Sequence, residues 1–286
     1  MRYFSESLGE NVSITSLLSS NAKLEKLNDE LQLSIVGLAL SPHDSSGLGN
    51  LCPKASEGCI SSCVLRYAGR AAMPTTQRAA RNRTALFFDN RELFYNLLKI
   101  ELSQAKTIAT AKGQKLAFRA NVASDLPIEK LCSDVLGIAD YNYDYSAIHA
   151  RVMRSFHWKL NYQLTYSVKE TTTTTQARLV LDYGGNVAIV VNSRYNPQHK
   201  KYGLLPSWVE IGGKEFQVVD GDKHDVRRSE FDGRGVVVML RAKGHNKAKE
   251  HARKLGFAKT LPSWFDDHCS DKLEIAERKG VVLDFA

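Results

Sequence analysis

The sequence predicts an α/β protein built on a parallel sheet, either closed as a barrel or doubly wound. After residue 33, seven short runs rich in β-branched residues alternate with helix-like segments or long loops, a pattern typical of βαβ units. The first run, LSIVGLALS, is almost continuously apolar, as in a strand that is covered on both faces. Polar residues also gather where the runs end, which is where parallel sheets bind ligands.

The elements follow one another without a linker or an internal repeat. The predicted strands are residues 33–41, 115–121, 138–146, 161–168, 186–193, 216–222 and 235–244. Between them lie an amphipathic helix ended by Gly113, a helix that opens near Pro127, the segment AIHARVMRSF, a helix ended by Gly184 and the segment NKAKEHARKLG. Only residues 193–215 look like a long irregular insertion. We therefore expect one domain over residues 1–286, with an N-terminal extension (1–32), a core (33–257) and a C-terminal extension (258–286).

Composition places the chain among ordinary globular proteins. It has 286 residues, of which 43% are hydrophobic and 24% charged, enough for a sizeable core without a structural metal. It shows neither an apolar run long enough to span a bilayer nor a secretion signal. We therefore expect no membrane partner and a cytoplasmic location, where thiols stay reduced.

The chain is basic, with a formal net charge of +8, which favours polyanionic partners. The basic residues are concentrated at 81–83 and 242–254. These stretches indicate either solvated helix faces or contacts with nucleic acid or phosphate.

Polar residues end nearly every predicted strand and form the candidate site. Singly, each is explained by turn or helix-cap chemistry, but their recurrence favours a common cavity. Asp220, Asp222 and His224 in the segment VVDGDKHD, together with Asp144, are the predicted catalytic groups, because carboxylate and imidazole can transfer protons or ligate a cation. The predicted cofactor-binding residues are Asn121, Ser167, Asn192, Tyr67 and Arg119.

Three of the five cysteines lie within twelve positions, in the segment LCPKASEGCISSC. Cys52, Cys59 and Cys63 have the spacing C-x6-C-x3-C and directly follow the first strand. Three thiolates suit a [4Fe–4S] cluster with one open iron. Zinc would need a fourth ligand, for which the candidates are His43, Cys132, His268 and Cys269. Packed thiols without a metal are the third reading, but the many polar residues of the segment favour a ligand role.

The chain resembles the radical S-adenosylmethionine enzymes in the order of its elements: a first strand, then a three-cysteine segment, then alternating strands and helices. The resemblance implies a partial parallel βα barrel and a [4Fe–4S] cluster whose open iron binds the cofactor. The chain departs from the usual C-x-x-x-C-x-x-C spacing, and its aromatic Tyr67 lies four residues after Cys63. The segments CPKASEGCISSCVLRYAGR, NYQLTYSV, NVAIVV, VVDGDKHDVR and VVVMLRAKG are similar to a phage family known as gene product 88, over about residues 33–257.

Two functions follow as expectations. The first is a phage-type iron–sulfur enzyme that cleaves S-adenosylmethionine and acts on a nucleotide or a nucleic-acid-related substrate in the host cytoplasm. The second is a non-catalytic basic module that binds nucleic acid or a host protein, in which zinc or a cluster only stiffens the cysteine segment.

Overall fold

The computed structural model describes residues 1–19, 31–193, 195–196, 201–267, 276 and 279–285. Over these residues the chain is mixed α/β, and most of its strand pairs are parallel. It forms two compact units. Unit 1 comprises the described residues up to 54 together with 64–144 and 158–163, and unit 2 comprises 55–63, 145–157 and the described residues from 164 onward. In the described part of the chain, no helix is both long and apolar enough to cross a membrane.

The strands and helices have the following bounds. The strands are β1 (Arg2–Ser5), β2 (Glu10–Ser13), β3 (Leu18–Ser19), β4 (Leu33–Leu38), β5 (Lys115–Arg119), β6 (Tyr141–Ser146), β7 (Gln163–Ser167), β8 (Val187–Asn192), β9 (Tyr195–Asn196), β10 (Lys201–Tyr202), β11 (Trp208–Ile211), β12 (Lys214–Asp220), β13 (Val237–Arg241), β14 (Lys259–Thr260) and β15 (Gly280–Val282). The α-helices are α1 (Glu57–Ser61), α2 (Val64–Tyr67), α3 (Pro74–Asp89), α4 (Arg91–Ala111), α5 (Ile128–Leu131), α6 (His149–Ser155), α7 (Thr174–Asp182), α8 (Ser229–Asp232), α9 (Asn246–Lys254) and α10 (Ser263–Asp267).

Unit 1 contains a short hairpin and a sheet. Strands β1 and β2 pair antiparallel, while β4 pairs antiparallel with β3 and parallel with β5. Strand β6 continues the sheet in parallel, with Ala117 opposite Tyr141. Because β4, β5 and β6 run the same way, the loops after their carboxyl ends gather at one edge.

Helix α4 packs an apolar face in unit 1. Asn90 begins the helix, since its side chain accepts a hydrogen bond from the backbone N–H of Leu93. Phe94, Leu98 and Leu102 follow at intervals of four residues and are fully buried. Each such side chain contributes about 1.5–3 kcal/mol through burial, so this face determines how α4 packs.

Unit 2 is organised around four neighbouring parallel strands in the order β7, β8, β13, β12. Their last residues are Ser167, Asn192, Arg241 and Asp220, and we call these four residues the carboxyl edge of unit 2. Strand β14 also pairs with β8 in parallel. Beyond β12 the sheet continues with β11, which pairs antiparallel with β12, and then with β15, which pairs in parallel with β11.

Each of the seven predicted strand runs overlaps a strand, and the prediction of an α/β protein with a mostly parallel sheet is confirmed. In the part of the chain that is described, no strand pairing closes either sheet into a barrel. The predicted irregular insertion at 193–215 is wrong in part, because it contains β11. Strand β11 has only four residues, too few for the alternation of apolar and polar residues to stand out. The single-domain organisation stays a prediction.

Candidate functional site

Helix α1 carries Cys59 and is held in unit 2 by one carboxylate. Glu170 accepts hydrogen bonds from the backbone N–H of Gly58 at 2.6 Å and from the Ser56 hydroxyl at 2.6 Å. A Cβ at position 58 would lie 2.5 Å from the Cβ of Phe257, a distance that side chains do not adopt. The glycine is therefore required for α1 to approach Glu170 and Phe257 this closely.

A lysine connects Cys59 with the carboxyl edge of unit 2. Lys169 Nζ donates hydrogen bonds to Cys59 Sγ at 3.4 Å and to Ser167 Oγ at 3.1 Å, and it lies 5.1 Å from the centre of the Phe257 ring. The predicted metal ligand Cys59 and the predicted cofactor-binding residue Ser167 therefore both accept a hydrogen bond from the Lys169 ammonium group. Sequence reasoning missed Lys169, although its position two residues after the end of β7 was the available signal.

Cys52 lies in unit 1, in the loop that follows β4. Its Sγ donates a hydrogen bond to the carbonyl of Ala123 at 3.2 Å, and it accepts one from the backbone N–H of His43 at 3.2 Å. His43 follows β4 and Ala123 follows β5, so Cys52 lies at the carboxyl ends of these two parallel strands. The prediction that the cysteine segment begins on this side of the sheet is consistent with these contacts.

The three clustered cysteines are all half-buried. Across the described ranges, however, no group of three or more His, Cys, Asp or Glu side chains is arranged to hold a metal ion. Of the possible fourth zinc ligands, His268 and Cys269 lie outside the described residues, and the His43 ring contacts Asp44. The thiol of Cys132 donates to Asp134 Oδ1 at 3.0 Å. Burial, together with that carboxylate, raises the pKa of Cys132 to about 11, which makes this thiol a poor source of thiolate.

Asp220 and Asp222, two predicted catalytic residues, bind the end of β13. Arg241 Nη1 lies 3.1 and 3.0 Å from the two carboxylate oxygens of Asp220, and both side chains are almost completely buried. Asp222 accepts a hydrogen bond from the backbone N–H of Arg241 at 2.9 Å and pairs with Lys243 at 2.9 Å. The two carboxylates thus hold neighbouring strand ends together through strong charge-assisted contacts.

His224, the third predicted catalytic residue of this segment, lies beside a buried ion pair. Its Nδ1 lies 2.7 Å from Arg227 Nη2, which can only donate, and 3.1 Å from the carbonyl oxygen of Val226, which can only accept. Nε2 lies 3.6 Å from Asp232 Oδ1, and Arg227 Nη1 lies 3.4 Å from the same oxygen. Burial raises the pKa of Asp232 to about 6, although Arg227 opposes the shift.

Asp144, the fourth predicted catalytic residue, is fully buried in unit 1. It accepts hydrogen bonds from the Tyr162 hydroxyl at 2.6 Å and from the backbone N–H of Asn121 at 2.8 Å. The Asn121 amide also donates to it at 3.2 Å, and Arg119 Nε lies 3.9 Å away. Three of the predicted residues are therefore brought together, with Tyr162 as a partner that the sequence did not indicate.

Two predicted cofactor-binding residues remain, Asn192 and Tyr67. Asn192 is half-buried at the carboxyl edge of unit 2, where its backbone is opposite Thr260 of β14. Tyr67 ends α2 in unit 1, with the Arg66 guanidinium 5.6 Å from its ring centre. Neither contact tests the predicted role in cofactor binding.

A family model described as gene product 88 matches residues 15–259. The chain belongs to the gene product 88 family. The match includes every predicted site residue, from Cys52 to His224, and leaves out the β1–β2 hairpin and β15. The comparisons with curated proteins and with solved structures give no significant match. The gene product 88 match therefore identifies the family and its extent along the chain.

Proposed function

We propose that this gene product 88 protein binds a [4Fe–4S] cluster through Cys52, Cys59 and Cys63. The observation that carries the proposal is the polar setting of these half-buried thiols: Cys52 lies at the carboxyl ends of β4 and β5, and the Cys59 sulfur accepts a hydrogen bond from Lys169. Cluster ligands are thiolates, whose negative charge a neighbouring ammonium offsets.

The donor chemistry fits a cluster better than zinc. Three thiolates are a sufficient protein ligand set for a four-iron cluster that keeps one iron open, whereas structural zinc takes four protein ligands. No described group of three ligand side chains is already arranged for a metal, so Cys52, Cys59 and Cys63 would have to move closer together to hold a cluster. Such coupling between metal binding and local ordering is common in small metal sites.

The strand order supports a partial barrel of the radical S-adenosylmethionine type as part of the proposal. Strands β4, β5 and β6 are neighbours in chain order in unit 1, as are β7 and β8 in unit 2, which is the arrangement in βα barrels. The order departs from that pattern at β13, which lies between β8 and β12. The proposed partial barrel is therefore limited to the strands that precede β12 in the chain.

A cluster held by Cys52, Cys59 and Cys63 would supply the electron for the reductive cleavage of S-adenosylmethionine. The contribution of the chain itself would be to position ligands: Lys169 donates to both Cys59 and Ser167, and Asn192 ends the neighbouring strand at the same edge of unit 2. The net charge of +8 favours a nucleotide or nucleic-acid-related substrate in the cytoplasm of the host cell.

Cysteine variants test the metal ligands. Iron and acid-labile sulfide are measured after anaerobic reconstitution of the full-length protein and of Cys52→Ser, Cys59→Ser and Cys63→Ser. Each variant is expected to lose most of its iron because three thiolates are the minimum set, while the circular dichroism spectrum stays native. Cys132→Ser is the matched control, since this thiol contacts Asp134 and not the cysteine segment, and it should keep its iron. Full iron content in all three variants would contradict the ligand assignment.

A second candidate function is a basic binding module that performs no chemistry, and the exposed face of α9 favours it. Lys247, His251 and Lys254 follow each other at intervals of three or four residues and are solvent-exposed, whereas Ala248 and Ala252 are buried. Such a face suits the phosphate backbone of a nucleic acid. Metal analysis of the protein as purified, without added iron, that finds zinc or no metal would make this the preferred function.

A further inference from the structure

Unit 1 contains a cavity that none of the predicted site residues lines. Its volume is about 330 Å³, at the lower end of the range for small-molecule sites. Ser41 and Ser45 come from the loop after β4, Leu65 from α2, and Gln77, Arg78 and Arg81 from α3. The cavity thus lies at the carboxyl end of a parallel strand, where α/β sheets usually bind ligands.

Two arginines give the cavity a positive wall. Arg78 and Arg81 are three residues apart on α3, so they lie on the same face of the helix. In the part of the chain that is described, Arg78 is exposed and has no carboxylate partner. Arg81 pairs with Glu10, but both side chains are largely exposed, at 39% and 50%, so an anion can compete for this guanidinium at little cost. By contrast, Arg83 donates to the backbone carbonyls of Ser16 and Ala39, so its contacts stabilise the fold of unit 1.

The rest of the cavity lining consists of two serine hydroxyls, a glutamine amide and an apolar surface. The backbone N–H of Ser41 donates to Thr84 Oγ1 at 2.9 Å, which fixes the loop against α3. Within the described ranges the hydroxyls of Ser41 and Ser45 make no hydrogen bond, so both can serve a ligand. Pro42 and Ala80 complete the lining and offer an apolar surface for the organic part of such a ligand.

We propose that this cavity binds the phosphate group of a small phosphorylated compound of about the size of a nucleoside monophosphate. Two guanidinium forks and two hydroxyls provide more donors than the two oxygens of a carboxylate can accept. A phosphate monoester has three terminal oxygens and a charge near −2 at neutral pH, and arginine binds it through paired hydrogen bonds. The site does not involve the cysteines, so it stands independently of the proposed cluster.

Calorimetric titration of the full-length protein tests the site, with adenosine monophosphate, adenosine, inorganic phosphate and succinate as probes. We expect saturable binding of the monophosphate, competition by inorganic phosphate, and much weaker binding of adenosine and succinate. Arg78→Ala and Arg81→Ala should each weaken binding at least tenfold, and Arg78→Lys should weaken it less because it keeps the charge. Arg154→Ala, which removes an exposed arginine on α6, is the matched control and should bind within twofold of the native protein.

Several results would overturn the proposal. They are the absence of saturable binding of both phosphate and the monophosphate, native affinity in a folded Arg78→Ala protein, and equal affinity for adenosine and its monophosphate. Tighter binding of succinate than of phosphate would also overturn it, because the site would then select carboxylates. Loss of iron in the cysteine variants, or its retention, has no bearing on these readouts.

Discussion

Replacement of Asp144 by alanine is expected to lower the free energy of unfolding by about 3–5 kcal/mol. The Asp144 side chain is fully buried and accepts from the Tyr162 hydroxyl and from both the backbone and the amide of Asn121. Alanine would leave these donors in the interior without an acceptor, and each unsatisfied group costs about 1–3 kcal/mol. Asp144→Ala is therefore expected to act on the stability of unit 1.

Urea denaturation measures this effect, and Asp182→Ala is the matched control. Asp182 accepts contacts from Arg178 and Lys214 at the surface, so its loss should cost less than about 1 kcal/mol. Tyr162→Phe, which removes one donor and keeps the ring, should have an effect between the two. If Asp144→Ala were as stable as the native protein and lost only activity, Asp144 would be a catalytic residue and its network would not be structural.

The second large effect is expected for Arg241→Met, again a loss of about 3–5 kcal/mol. The Asp220 carboxylate is completely buried and has both oxygens near Arg241 Nη1, so the variant would leave a negative charge in the interior without its cation. The Gly203 carbonyl would also lose the hydrogen bond that it accepts from Arg241 Nη2 at 3.2 Å. Urea denaturation of the variant and of the native protein measures this loss.

A double-mutant cycle separates the pair from its surroundings. Asp220→Asn/Arg241→Met removes both charges, so it should be less destabilised than the sum of the single variants predicts. Lys243→Met is the control from the same cluster, because Lys243 contacts Asp222 from an exposed position, and it should cost less than about 1 kcal/mol. Strictly additive effects would show that Asp220 and Arg241 do not stabilise each other.

The parallel strands were predictable because their sequences carry a strong signal. Strand β8 reads VAIVVN, and the buried sheet requires such near-continuous apolar runs. Strand β11 reads WVEI and lies between Pro206 and Gly212, so turn signals hide a segment that pairs with β12. The pairing of β13 between β8 and β12 depends on contacts between distant segments, which periodicity along the chain does not contain.

The positions of the polar residues were predictable, but their partners were not. Strand ends at Ser167 and Asp220 follow from the sequence pattern because parallel strands share an edge. Arg241 pairs with Asp220, and Lys169 donates hydrogen bonds to both Ser167 and Cys59. These contacts depend on side-chain distances within the folded unit. The cysteine spacing predicted a metal site, but the arrangement of the three sulfurs depends on the fold and not on the spacing.

Electron paramagnetic resonance of the anaerobically reconstituted, reduced protein, with and without S-adenosylmethionine, tests the proposed cluster directly. We expect close to four irons and four sulfides per chain and a cluster signal that changes when the cofactor is added, because one iron of the proposed cluster would lack a protein ligand. Bound zinc, no metal, or a cluster signal that the cofactor leaves unchanged would contradict the proposal.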